Sequence, residues 1–287
     1  MTSNDQFDGA PTPYHKLKKA FADRTAANCA AHLIPHLKPH FRILDIGCGP
    51  GSITLDLARL VPEGHVTGAD ISEDSIESAR QHAQNQNVSN VEFLVANATD
   101  LTRFDSESFD VVHAHQVMLH LPKPVNVIKD IRRMLKPGGI FSTRDNALKT
   151  WIPESAAVAK GCTYAHRTRG NANLRRYINA KRVVAMYERL IRAKGADPTF
   201  GRVNHTAAHD AGFEWSKIET SSWGWEWSTE AEINNMVEGT KGLRAPLVKT
   251  GFGTDEDMDE VEAGYAEWGR MPESRFMATD GALLCWK

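Results

Sequence analysis

The sequence contains few cysteines, and none of them has the spacing of a redox motif or a zinc site. Cys29, Cys48, Cys162 and Cys285 are scattered along the chain without a CxxC pair. The chain also lacks a signal-peptide core and any apolar stretch of about 18 residues, the length that a membrane helix needs. We therefore expect no disulfide framework, no metal site and no membrane span. The predicted location is the cytoplasm.

A strong net charge is missing as well. The 34 basic residues nearly balance the 36 acidic ones, which gives a formal net charge of -2, and no long basic run is present. Nucleic-acid-binding proteins usually carry a basic surface, so nucleic acid is not the expected substrate. The sequence leaves the oligomeric state open between a monomer and a homodimer.

Apolar segments alternate with helix-like segments through the first half of the chain, as in β-α-β units. The predicted strands span residues 42–45, 65–70, 91–96, 109–114 and 139–143. The predicted helices between them span residues 52–60, 73–86 and 125–135, and Ser72 is the expected N-cap of the second. The pattern indicates an α/β fold with helices on both faces of a mostly parallel sheet.

The remaining segments complete a predicted single domain over residues 1–287. An amphipathic leader helix is expected at 14–37 and a long helix at 173–194. Strands are expected at 215–223 and in the closing "DGALLCWK". Two cap insertions are predicted, at about 147–173 and 228–272, where the strand pattern is interrupted.

The stretch "ILDIGCGPGSIT" places Gly47, Gly49 and Gly51 directly after the first predicted strand. A glycine turn between a strand and a helix lets a ligand approach the backbone closely. Dinucleotide-binding turns follow the pattern GxGxxG, and here Ser52 occupies the position of the third glycine. The turn thus fits a nucleotide-like ligand, although the dinucleotide pattern is incomplete.

Two carboxylates frame this turn. Asp45 ends the first strand, where it would oppose a pyrophosphate and favour the cationic ligand S-adenosylmethionine (SAM). A carboxylate about 4 Å from a unit charge contributes roughly 4 kcal/mol at an effective dielectric near 20, before desolvation. Asp70 ends the second strand, as expected for an acid that binds ribose hydroxyls. Its alternative role is to start the following helix.

These features together resemble the class I SAM-dependent methyltransferases, in particular the group similar to the ubiquinone/menaquinone C-methyltransferases. The resemblance lies in the ordered motifs "LDIGCGPG", "GADIS", "ANATDL", "FDVVHAHQVMLHL" and "LKPGGIF". It implies a Rossmann-like three-layer sandwich with a seven-stranded sheet of order 3-2-1-4-5-7-6, whose last strand is antiparallel. The implied cofactor is SAM.

The resemblance also implies roles for residues at the adenosine and methionine ends. Asp70 matches the ribose ligand, Ile71 the apolar neighbour of adenine, and Asn97 with Ala98 the pair that reads the adenine amino group. Asn97 departs from the aspartate common at this position, although its side-chain carbonyl can still accept a hydrogen bond. The residues matched to the methionine end are Asp45, Gly47, Gly49, Gly51, His115, Gln116, Tyr14 and Arg24.

Methyl transfer is an in-line displacement that needs alignment and exclusion of water more than a strong base. His120 is the candidate base because it follows the fourth strand at the ligand-binding edge. Trp223, Trp225 and Trp227 alternate, so in an extended chain they share one side, either as core or as the wall of an acceptor site. The expected function is methylation of a small, largely apolar organic acceptor.

Three alternatives stay open from sequence. The chain could bind SAM without methylating, as a rearrangement catalyst or partner subunit, because the cofactor turn would look the same. It could methylate a macromolecule, although it lacks the [DN]-PP-[YF] stretch frequent in enzymes that act on exocyclic amines. A nicotinamide dehydrogenase is disfavoured by Asp45 and Ser52.

Overall fold

The structure is a computed structural model, and it describes residues 24–152, 172–268, 270, 272 and 275–287. Tyr14 and most of the first predicted cap insertion lie outside the described residues. Seven strands form one sheet with the order β3-β2-β1-β4-β5-β7-β6, which confirms the predicted topology. The strands are β1 Arg42–Ile46, β2 His65–Asp70, β3 Val91–Val95, β4 Phe109–His115, β5 Leu135–Ile152, β6 Ile218–Trp227 and β7 Arg275–Trp286.

The described α-helices flank and connect these strands. They are α1 Ala26–Cys29, α2 Ser52–Leu60, α3 Glu73–Asn85, α4 Pro124–Met134, α5 Ala172–Ala193, α6 Asn204–Asp210, α7 Glu230–Lys249 and α8 Asp255–Trp268. Ser72 caps α3 as predicted, because its hydroxyl accepts a hydrogen bond from the Ser75 amide at 3.3 Å. The helices predicted between the first five strands are confirmed to within one residue at each end.

The first five strands run parallel to their neighbours, and β7 runs against β5. Pairing of β1 with β2 and β4, of β2 with β3, and of β4 with β5 is parallel. The end of β7 meets the start of β5, since Lys287 exchanges backbone hydrogen bonds with Gly138 and Gly139. The carboxyl ends of β1, β2 and β4 consequently meet at one edge, where open α/β sheets bind ligands.

Two predicted elements are wrong in detail. In its described part, the leader segment predicted as a helix at 14–37 contains only α1 and a 3₁₀ turn at Ile34–His36. Pro35 lies in this turn, and proline cannot donate the backbone hydrogen bond that a continuing α-helix requires. The strand predicted at 215–223 is displaced to β6, because Trp215–Lys217 form a 3₁₀ turn before it.

The chain divides into two compact units. Among the described residues, the first comprises 24–147, Gly195–Trp223 and Asp280–Lys287, and the second comprises those within Leu148–Lys194 and Gly224–Thr279. The assignment of one domain with two cap insertions stays a prediction. The first unit contains the carboxyl-end edge of β1, β2 and β4.

The second unit has its own apolar core. Leu247, Met258, Val261, Tyr265 and Trp268 are buried in it. Partly buried Trp225 and Trp227 pack against this cluster, and the Trp227 ring stacks on Phe276 with ring centroids 4.9 Å apart. The core interpretation of these two tryptophans is therefore supported. None of the helices in the described part of the chain is long and apolar enough to cross a membrane.

Candidate active site

The glycine turn after β1 has a backbone that other residues rarely adopt. Gly47, Gly49 and Gly51 have φ values of 69°, 53° and 84°, all left-handed. A Cβ on Gly47 would lie 2.4 Å from Val117 Cγ2, whereas a Cβ on Gly49 would meet nothing within 4 Å. The turn is therefore tightly packed at Gly47 and open at Gly49. The open side at Gly49 is where a ligand could contact the backbone.

Asp70 fastens this turn to the end of β2. Its Oδ2 accepts a hydrogen bond from the Gly49 amide at 3.0 Å, and its Oδ1 accepts one from the Ser72 amide at 2.9 Å. Burial raises the pKa of Asp70 above its usual value. Ile71 beside it is 45% exposed, an unusual exposure for a large apolar side chain. A carboxylate next to an exposed aliphatic side chain suits a ribose and the base attached to it.

Asp45 lies behind the turn. Its side chain is 2% exposed, and its Oδ2 accepts a hydrogen bond from the Thr54 hydroxyl of α2 at 2.6 Å. Desolvation by burial raises the pKa of Asp45 to about 7. A nearby cation would favour the charged form, so the site can respond to a cationic ligand. The direct contact with a ligand ammonium stays a prediction.

Asn97 and Ala98 follow β3 at the same edge of the sheet. Asn97 Oδ1 accepts hydrogen bonds at 2.9 Å from the amide and the hydroxyl of Thr99, which makes a local turn. The oxygen that was expected to accept from an adenine amine already has two donors. Ala98 is half-buried. Both residues stay predicted contacts.

The turn after β4 packs directly on the glycine turn through Val117. His115 is the last residue of β4 and is 6% exposed. Its pKa lies well below the usual value, first because of burial and then because of the charge of Arg24. Gln116 has a left-handed φ of 57° and donates its amide to the Arg144 carbonyl at 2.8 Å. Such strain in a residue other than glycine is typical of functional sites.

Arg24 and His120 complete the predicted site residues that the structure describes. Arg24 is half-buried at the start of the described part of the leader segment. Its charge contributes to the lowered pKa of His115, and it opposes the burial that raises the pKa of Cys29 to about 11. It therefore lies near the carboxyl end of β4. His120 is half-buried in the 3₁₀ turn Met118–His120, which directly follows this end. The structure thus brings the glycine turn, Asp70, His115, Gln116 and Arg24 to one region.

Sequence reasoning missed a row of buried polar residues on β4 and β5. Ser142 Oγ lies 3.1 Å from His113 Nδ1 and 3.0 Å from His32 Nε2. Burial lowers the pKa of His113 to about 3 and that of His32 to about 4, so both imidazoles are neutral at neutral pH. Within the described residues, His113 Nε2 has no hydrogen-bond partner. The alternation in "HAHQ" places His113 and His115 on one face of β4, but it does not indicate the partners His32 and Ser142.

Arg144 and Asp145 of β5 were also missed. Arg144 Nε donates to Asp280 Oδ2 of β7 at 3.0 Å, and both side chains are 1% exposed. Asp145 Oδ1 accepts from the Leu119 amide at 3.2 Å, and its Oδ2 accepts from the Thr143 hydroxyl at 2.6 Å. Burial raises the pKa of Asp145 to about 7. Among the residues that the structure describes, no group of three or more His, Cys, Asp or Glu side chains is placed to hold a metal ion.

Comparison with known proteins agrees with this geometry. The family profile described as "Methyltransferase domain" matches residues 37–216, more than half of the chain. An uncharacterized methyltransferase of Schizosaccharomyces pombe is 25% identical over 283 residues, covering 93% of this chain and 92% of that protein. A ubiquinone biosynthesis O-methyltransferase of Neisseria meningitidis is 35% identical over 113 residues, which cover 39% of this chain and 47% of that protein.

A solved structure shares the fold. Phosphoethanolamine N-methyltransferase 2 of Haemonchus contortus, in complex with phosphomonomethylethanolamine and S-adenosylhomocysteine, superposes with a TM-score of 0.54 at 15% identity. The superposition covers 96% of this chain and 57% of that one. The sheet order, the glycine turn and the matching family profile lead to one conclusion: the chain belongs to the class I SAM-dependent methyltransferases.

Proposed function

We propose that this enzyme transfers the methyl group of SAM to a small, largely apolar organic acceptor in the cytoplasm. The observation that carries the proposal is the cradle of Asp45, the glycine turn and Asp70, packed against the turn after β4. The near-neutral charge favours a small acceptor over a polyanion. The similarity to a ubiquinone biosynthesis O-methyltransferase over 113 residues points the same way.

The residues of the cradle fit SAM. The Gly49 backbone is open to a ligand, Ile71 offers an exposed apolar side chain, and Asp70 offers carboxylate oxygens. Asp45 is partly protonated at neutral pH because its pKa is about 7, and a bound cation would favour its negatively charged form behind the turn. Arg24 supplies positive charge near His115. We assign the adenine end to Ile71, Asn97 and Ala98, where Asn97 Oδ1 would have to exchange a Thr99 hydrogen bond for one from the adenine amine. We assign the methionine end to Asp45, Gly47, Gly49, Gly51, His115, Gln116, Tyr14 and Arg24. When bound, SAM supplies an electrophilic methyl group.

The chain's own part in the reaction is alignment, exclusion of water and proton removal. The carboxyl end of β4 holds His115 and Gln116 beside the glycine turn, and the following 3₁₀ turn holds His120. We propose that His120 accepts the acceptor's proton as the acceptor atom gains the methyl group. The buried imidazole of His113 stays neutral and does not compete for this proton.

Calorimetry with SAM and NAD side by side tests the cofactor preference. We expect a heat of binding with SAM and none with NAD.

Asp45→Asn is expected to weaken SAM binding at least tenfold, because it removes the negative charge behind the turn. Asp105→Asn, an exposed acid in a loop, is the matched control and should leave the affinity unchanged. Tight NAD binding without SAM binding would contradict the proposal.

The acceptor class is tested by S-adenosylhomocysteine release and mass spectrometry with a panel of phenols, enols and thiols. Release coupled to a methylated small product supports the proposal. SAM binding without release for any acceptor favours a non-methylating SAM protein. Label transferred from SAM only to the protein or RNA fraction of a lysate identifies a macromolecule methyltransferase instead.

A further inference from the structure

Arg144 and Asp280 form an ion pair that stability alone does not explain. Both side chains are 1% exposed, so both charges have lost nearly all contact with water. Replacing a buried ion pair by apolar residues of similar size is often neutral or even stabilising. The free energy of folding therefore does not account for this pair.

The contacts of Arg144 indicate a geometric task. Its Nη1 donates to the Asn28 carbonyl of α1 at 2.5 Å, and its own carbonyl accepts the Gln116 amide. Its guanidinium carbon lies 5.5 Å from the Trp223 ring centroid. Arg144 thus joins the leader segment to the turn that follows β4, while Asp280 fixes the orientation of the guanidinium fork.

Asn28 passes this constraint to Arg24. The Asn28 side-chain Oδ1 accepts a hydrogen bond from the Thr25 backbone amide at 2.8 Å, and the Asn28 backbone amide donates to Thr25 Oγ1 at 3.2 Å. Together these two bonds form a reciprocal capping box. Thr25 directly follows Arg24 in the sequence, so the contacts of Asn28 with Thr25 restrict the position of the Arg24 backbone. The charge of Arg24 acts on His115 at the end of β4.

We propose that Arg144, oriented by Asp280, is a positioning residue that holds the described part of the leader segment, residues 24–37, so that Arg24 lies at the methionine end of the SAM site. The role of Arg24 in this statement rests on the proposed function. The tether itself does not, because all of its contacts join residues of this chain.

Hydrogen exchange of the cofactor-free protein tests the tether directly. The variants are R144M, R144K and the double variant R144M/D280M, which removes both charges and leaves no unpaired one. We expect R144M/D280M to recover melting temperature relative to R144M, yet to exchange amides of residues 25–37 at least tenfold faster than wild type. Amides of α3 serve as the internal control and should not change. R144K, which keeps the charge without the planar fork, is expected to fall between wild type and R144M.

Calorimetric SAM binding by the same variants tests the consequence. We expect R144M/D280M to bind SAM at least tenfold more weakly than wild type. If Arg144 acts through Arg24, the loss in R24A/R144M should not exceed the loss in R24A alone. Wild-type exchange in R144M/D280M, or additive losses in the cycle, would overturn the proposal. If R144M/D280M does not fold, hydrogen exchange and SAM binding are measured on R144K instead. Wild-type exchange and wild-type SAM affinity in R144K would then overturn the proposal.

The two proposals fail in different ways. Absence of SAM binding by the wild-type protein contradicts the proposed function and leaves the exchange experiment in the cofactor-free protein intact. Normal SAM binding with unchanged exchange in the variants contradicts the tether alone.

Discussion

Gly47 and Gly49 share one turn and one left-handed backbone, yet a methyl group would meet different surroundings at the two positions. A left-handed alanine costs about 1–2 kcal/mol at either site. At Gly47 the new Cβ would also lie 2.4 Å from Val117, whereas at Gly49 it would enter open space. The comparison separates backbone strain from steric overlap within a single turn.

We therefore expect Gly47→Ala to lower the free energy of unfolding by about 1–3 kcal/mol more than Gly49→Ala does. Adding Val117→Ala to the first variant should recover part of this difference, because it removes the overlapping methyl group. Chemical denaturation of the four proteins, including wild type, checks the prediction. Equal losses at the two glycines would show that Val117 moves aside without cost.

At the scale of elements, β5 is longer and more polar than its sequence pattern indicated. The apolar run predicted a strand at 139–143, whereas β5 continues to Ile152 through the polar residues 142–146. These residues are paired with partners far along the chain: Ser142 with His32, and Arg144 with Asp280, 136 residues away. Local periodicity contains no information about such partners.

The parts of the fold that were predicted correctly rest on local rules. Apolar runs located β1 to β4, the Ser72 cap located the start of α3, and the glycine turn located the ligand-binding edge. The motif resemblance supplied the strand order. The buried network behind His115 was missed because a polar residue in a strand looks like a solvent-facing one until its long-range partner is known.

Asp145 gives a prediction for the 3₁₀ turn that contains His120. Its side chain accepts from the Leu119 amide, so Asp145→Ala would leave a buried donor without its partner, at a cost of about 1–3 kcal/mol. Asp145→Asn keeps a carbonyl at this place, and a pKa of about 7 means that the neutral acid is already accessible. We expect the asparagine variant to lose less than half as much stability as the alanine variant. Guanidinium unfolding of both checks this, and equal losses would contradict it.

At the scale of the whole molecule, the buried histidines and the buried aspartates give the stability opposite dependences on pH. The pKa values of His113 and His32 are lowered in the folded protein. Below about pH 6.5 these two imidazoles therefore bind protons in the unfolded chain but remain neutral in the folded chain. Their contribution is present above pH 6.5 and is lost on acidification towards pH 4 and 3. Asp45 and Asp145 have raised pKa values, so their contribution is present near pH 4 and is lost as the pH rises through 7.

His113→Gln removes one imidazole of this set. The variant should lose less stability than wild type on acidification from pH 6.5 to 4.5, by about 1.4 kcal/mol for each pH unit. Urea unfolding at the two pH values measures the difference. His40→Gln, an exposed histidine, is the control and should follow the wild-type curve. If the His113 variant loses as much stability on acidification as wild type, His113 can be protonated in the folded state.

The place of β7 between β5 and β6 has a consequence for biosynthesis. β6 leaves the ribosome before its sheet neighbour exists, and Arg144 precedes its counter-ion by 136 residues. At 5–20 residues per second, this interval is roughly 7 to 27 s. During translation the nascent polypeptide therefore exposes an unpaired sheet edge, which is prone to aggregation, until the strand with Asp280 fills the gap.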